Sequence, residues 1–184
     1  MQRSFILPSL AILVVAGLAA CAVTARATFE DEKILIHARL SGLNEVPPTN
    51  SMATGTVRGS ISEDRTTISY TFTYSNLTGN PLFAHFHFGQ PEVNGGVMVF
   101  LCGGGGKPAC PAATSGTVSG TITAADIVGP AAQGILAAPA GQFSDVVRAI
   151  LTGHAYANIH TPTFPGGEER GPVVAFGADR DGHD

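Results

Sequence analysis

Tryptophan is absent from the 184-residue chain, and Asp, Glu, Lys and Arg together make up only 13% of it. That is about half the usual share of near 25%. No cluster of Lys or Arg stands out, and the formal net charge is −4. Such a chain offers no electrostatic footprint for a nucleic acid or an anionic lipid surface. No serine sits in a Gly-x-Ser-x-Gly elbow, so one common signature of nucleophilic hydrolysis is missing. No unit repeats along the chain. Cysteine occurs three times, never at the close spacing of a zinc knuckle. Long apolar runs are lacking too. The stretch from Phe5 to Leu18 is broken by Pro8, Ser9 and Gly17 and falls short of the ~20 residues a membrane span needs.

What that stretch does resemble is a secretory leader, with Arg3 before it and small residues after it. Two processing sites compete. Leu18-Ala19-Ala20-Cys21 matches a lipobox, in which Cys21 is lipidated and becomes the new N-terminus. Ala25-Arg26-Ala27 matches the small-x-small pattern of an ordinary signal peptidase site. Residues 1–27 are therefore read as a leader, cut before Cys21 or after Ala27. Residues 28–177 have the length of one domain, and residues 178–184 form a polar tail expected to be flexible. The expected location is outside the cytoplasm, as an outer-membrane or periplasmic lipoprotein with a lipid anchor, or otherwise as a secreted protein.

Cysteine usage agrees with export. Setting Cys21 aside leaves Cys102 and Cys110, which bracket four glycines and a proline. A loop this pliable can bring the sulfurs together, and an oxidising compartment would close it. Metal ligation by the two thiols is the weaker alternative, because exported thiols tend to oxidise.

Glycine is abundant, with 23 residues, and Thr, Val, Ile and Phe recur in short alternating runs. This composition favours an all-β domain. Strands are expected over 33–40, 54–62, 67–75, 82–88, 97–101, 116–123, 156–160 and 173–176, with the second and third joined as a hairpin across Glu63-Asp64-Arg65-Thr66. Tyr70, Phe72 and Tyr74 alternate as core positions. Residues 41–51 and 162–171 read as loops, and 126–141 gives no firm structure. Phe143 to Leu151 reads as the one short helix, with Ser144 as a candidate cap. Short strands in this number imply a β-sandwich or a Greek-key barrel.

The chemistry-bearing residues lie in two of these strands. In Phe83-Ala84-His85-Phe86-His87-Phe88, alternation puts His85 and His87 on one face. In Tyr156-Ala157-Asn158-Ile159-His160 it does the same for Tyr156, Asn158 and His160. Buried imidazoles need partners. One reading is a metal centre: His85, His87 and His160 supply three nitrogens suited to copper or zinc, with Glu168 or Glu45 completing the set. The other is a polar network tying strands together, with Glu45, Asn158, Glu168 and Arg170 as partners. No cofactor is fixed by the residues alone; copper and zinc are the candidates. His37 and His183 read as surface residues.

Five segments taken together resemble the CHRD domain: Ser41-Gly42-Leu43-Asn44-Glu45-Val46-Pro47-Pro48, Ala53-Thr54-Gly55, Ala84-His85-Phe86-His87, Tyr156-Ala157-Asn158-Ile159-His160-Thr161 and Pro165-Gly166-Gly167-Glu168-Glu169-Arg170-Gly171. They fall in the family's order and span nearly all of the chain after the leader. The resemblance implies an immunoglobulin-like β-sandwich or barrel over residues 28–177 and an extracellular setting, and it brings no agreed activity. The pattern departs at Glu169, where the family usually has an apolar residue, and at His154, where a small or amide residue is more usual. The chain is thus expected to be an exported binding or structural module of the cell envelope and not an enzyme, its partner an unidentified extracellular protein or envelope component. The alternative is a histidine-based copper or zinc protein.

Overall fold

Alternating sequence becomes alternating burial. In β1 (Ile34–Ser41) Ile34, Ile36, Ala38 and Leu40 are buried and the residues between them are not. The computed structural model describes residues 33–177. The expected leader with Cys21, the tail at 178–184 and His183 lie outside the described residues. After β1 come β2 (Thr54–Ile61), β3 (Ile68–Ser75), β4 (Phe83–Phe88), β5 (Gly96–Cys102) and β6 (Gly116–Ile122). Helix α1 (Phe143–Leu151) precedes β7 (Ala155–His160), β8 (Glu169–Pro172) and β9 (Val174–Phe176).

All nine strands join one antiparallel sheet in the order β5-β4-β7-β8-β1-β2-β3-β6, with β9 also paired to β1. β2 and β3 form the expected hairpin in full register, Thr54 opposite Ser75 and Ile61 opposite Ile68. The sheet curls until its two ends approach. The Tyr70 hydroxyl on β3 donates to the Leu101 carbonyl on β5 at 2.6 Å, and Val99 bridges Ile127 in the connection that follows β6. The result is a nearly closed barrel filled by Ile36, Val57, Phe72, Phe86 and Ile159. Of the two expected architectures, a single curled sheet is the one formed. On its outer side hydroxyl pairs such as Thr71 with Ser119 and Thr73 with Thr117 run across the strands, as suits a half-solvated sheet.

Two local expectations need correction. Residues 162–171, read as a loop, end in β8, because Asn158 and Ile159 of β7 pair with Arg170 and Glu169. Ser144 is not the cap of α1; Gln142 holds that position and makes no side-chain cap bond. His37, expected at the surface, is on the outer side of β1, partly exposed, and faces the Phe176 ring at 6.3 Å. The helix buries Phe143, Val146, Val147 and Ile150, a single stripe at helical spacing. Residues 126–141 pack along β5, with the Val128 amide donating to Met98 and the Gly96 amide donating to the Gln133 side chain.

Cys102 and Cys110 form a disulfide with their Cα atoms 5.0 Å apart. Closing a ring this small restrains the unfolded chain by about 2–3 kcal/mol. The loop it closes folds back on β5: a Cβ added at Gly104 would sit 2.5 Å from the Phe100 ring.

Candidate metal centre

Strands far apart in sequence become neighbours here. β4 pairs with β7 so that His87 faces Tyr156, His85 faces Asn158 and Phe83 faces His160. On the other side of β7, Asn158 faces Arg170 of β8. Alternation therefore collects Phe83, His85, His87, Tyr156, Asn158, His160 and Arg170 on the face turned away from the barrel core, while Ala84, Phe86, Ala157 and Ile159 fill the core. Contacts from residues 45–46, 93–95 and 165 cover this outer face and bury the three imidazoles.

The rings crowd together. The His85 centroid lies 4.4 Å from that of His87 and 4.7 Å from that of His160. One ligand nitrogen from each ring falls within 4.8 Å of the others. Nδ1 of His87 is 2.9 Å from the Gly95 carbonyl, and Nδ1 of His160 is 2.9 Å from the Pro165 carbonyl. A carbonyl can only accept, so each Nδ1 carries the proton and each Nε2 presents a lone pair. Those two Nε2 atoms, and Nδ1 of His85, are buried with no hydrogen-bond partner among the described residues. Phe83 stacks on His85 at 5.5 Å and Phe100 meets it edge-on at 5.1 Å.

Electrostatics keeps the rings neutral. Burial, with His87 and His160 alongside, pushes His85 down to about 2. Burial pushes His87 down to about 4, against the bond to Gly95 that favours its charged form. His160 is lowered by burial as well, opposed by Pro165. At neutral pH all three are uncharged donors, the state a metal requires. The carbonyl bonds behind His87 and His160 are the outer support that metal-binding imidazoles normally have.

The carboxylates lie elsewhere. The Arg170 Nε donates to Glu45 Oε2 at 2.9 Å, and Asn158 Nδ2 donates to Glu45 Oε1. Arg170 also donates to the Val93 carbonyl at 3.2 Å and to Asn94 Oδ1. Burial pushes the Glu45 carboxyl up, against the pull of Arg170. Gly167 closes tightly over this pair; it has φ 129°, and an added Cβ would lie 2.5 Å from Glu45 Oε1. Glu168, expected in the same network, is in a separate one. Its oxygens accept from Ser51 Oγ at 2.7 Å, the Thr78 amide at 2.9 Å, Thr78 Oγ1 at 2.9 Å and Thr161 Oγ1 at 2.7 Å. Neither carboxylate joins the histidine cluster. The bonds that His87 and His160 make at Nδ1 go to the backbone carbonyls of Gly95 and Pro165.

Sequence reasoning gave Tyr156 no role beyond its face. Its ring stacks on His87 at 4.5 Å with only 6° between planes, and the Arg170 guanidinium carbon lies 4.5 Å over the same ring. Phe83 and Phe100 were likewise unassigned as walls of the cluster. The carbonyls of Gly95 and Pro165 leave no side-chain signal at all. Beside the cluster, a cleft of about 430 Å³ opens between Leu43, Val46, Pro48 and Pro91, with Tyr156 and Arg170 in its lining.

The model of the CHRD domain family matches residues 36–173, most of the chain. The chain belongs to the CHRD domain family. That CHRD match encloses all three clustered histidines, the Glu45–Asn158–Arg170 group and Glu168. No curated protein and no solved structure matches the chain. The CHRD fold is thus seen here as a nearly closed antiparallel barrel with one helix.

Proposed function

We propose that this CHRD domain is an exported, non-catalytic binding module of the cell envelope in which His85, His87 and His160 hold one copper or zinc ion. Two observations carry the metal reading: each of the three buried rings has a nitrogen without a hydrogen-bond partner among the described residues, and one ligand nitrogen of each ring lies within 4.8 Å of the others. A purely structural network would use those lone pairs. Here Asn158 and Arg170 bond Glu45, and the three nitrogens have no partner among the described residues. Bound ion would cross-link β4 to β7 and add stability in proportion to its occupancy. Export is supported by the leader pattern and by the Cys102–Cys110 disulfide, which suits an oxidising compartment. The macromolecular partner is an extracellular protein or an envelope component, and the cleft beside Tyr156 is the place to look for it.

Metal analysis of the full chain produced by export tests this reading. One equivalent of copper or zinc is expected to be retained, and to raise the melting temperature. His87→Ala and His160→Ala are expected to weaken binding by about 100-fold or more while keeping the apo far-UV spectrum. Wild-type protein that takes up neither metal, with a melting temperature unmoved by chelator, contradicts it.

A further inference from the structure

We infer that the three-histidine centre selects a monovalent ion, Cu(I), over Zn(II) and Cu(II). This rests on the metal reading above and adds the oxidation state. Imidazole by itself suits both copper and zinc, so the donor atoms alone do not choose. The surroundings do.

Charge is the first reason. No anion reaches the cluster among the described residues. Glu45 gives one oxygen to Arg170 and the other to Asn158; both oxygens of Glu168 are held by Ser51, Thr78 and Thr161; Cys102 and Cys110 are bonded to each other. An ion bound by three neutral rings keeps its whole charge in a buried, aromatic-walled space. The cost of burying an ion grows with the square of its charge, so a divalent ion meets about four times the penalty of a monovalent one. The nearest opposing field has the wrong sign for a dication. Arg170, itself paired with Glu45, is a neighbouring positive charge for both His87 and His160.

Coordination number is the second reason. Zinc in proteins takes four ligands, the fourth commonly water. Here Phe83 and Phe100 pack against His85, and Tyr156 covers the face of His87. Three neutral nitrogens with aromatic walls and no fourth protein ligand among the described residues suit the low coordination that Cu(I) accepts.

The test uses the full-length oxidised protein. Cu(I) affinity is measured under ascorbate by competition with bicinchoninate, and Zn(II) affinity by competition with a zinc indicator. The expected result is one equivalent of each at the same site, with Cu(I) tighter by about 1000-fold; a preference of a hundredfold or more supports the inference and a smaller one overturns it. Copper-loaded protein is expected to stay silent by electron paramagnetic resonance in air. A stable Cu(II) signal with nitrogen couplings overturns the inference while leaving the metal reading intact. No binding of either ion overturns both. The variant Phe100→Glu, which sets a carboxylate beside His85, is expected to move the preference toward Zn(II) by about tenfold or more.

Discussion

Replacing Glu169 by leucine is expected to stabilise the protein at pH 8 by up to about 5 kcal/mol and to remove a pH dependence from its unfolding. Glu169 faces the barrel interior, fully buried, and neither carboxyl oxygen has a partner among the described residues. Its Oε1 would lie 2.5 Å from a Cβ added at Gly55, a position that also abuts the Phe72 ring. Burial, with Glu168 and Glu45 nearby, pushes its carboxyl up to about 8 from an ordinary 4.5. Between those values the folded chain holds the proton and the unfolded chain releases it. Stability from this group is therefore fully present below pH 4.5 and is lost as pH rises through about 8. The clustered histidines, lowered on folding, act in the opposite direction below pH 6.5. The difference between Glu169→Leu and wild type isolates the carboxyl, since the histidines are common to both. That difference should widen steadily in urea unfolding between pH 5 and pH 8. A constant difference, or a leucine variant less stable at pH 8, would show that the side chain has a partner or reaches water.

Arg170→Ala is expected to cost about 3–5 kcal/mol. The guanidinium is buried, bonds Glu45, Val93 and Asn94, and lies over Tyr156. Removing it leaves the buried Glu45 carboxylate without its charged partner, with Asn158 and the Val46 backbone still bonded to it. Arg170→Lys should recover little, because one ammonium cannot direct donors to three separate acceptors. The double variant Glu45→Leu/Arg170→Met removes both charges and should lie much closer to wild type than Arg170→Ala does. A loss below about 1 kcal/mol for Arg170→Ala would mean that the pair is solvated in solution.

Legibility in the sequence followed the periodicity. The alternation of Phe83 to Phe88 and of Tyr156 to His160 assigned the clustered histidines to common faces before any fold was known, because a two-residue period is a local property. The pairing of β4 with β7 is not local, and no residue pattern on either strand announces it. β8 was hidden because its buried positions are Glu169 and Arg170, which reverse the usual link between apolar character and burial. Glu169 was visible as a departure from the family's apolar residue, and the structure gives that departure its meaning, a carboxyl occupying a core position. Glu168 and Glu45 could not be told apart from composition; which hydroxyls and which guanidinium each meets depends on the loops at 42–51 and 76–78. The stacking of Tyr156 between His87 and Arg170 needs three strands in register and has no sequence signature.

X-ray absorption at the metal edge of the copper- or zinc-loaded full chain tests the central claim most directly. Three nitrogen scatterers at about 2 Å, with the outer-shell pattern of imidazole rings and with one ring lost in His160→Ala, are the expected result. A spectrum dominated by oxygen or sulfur, or one unchanged in His160→Ala, would place the ion elsewhere and leave the three converging nitrogens of His85, His87 and His160 without a ligand.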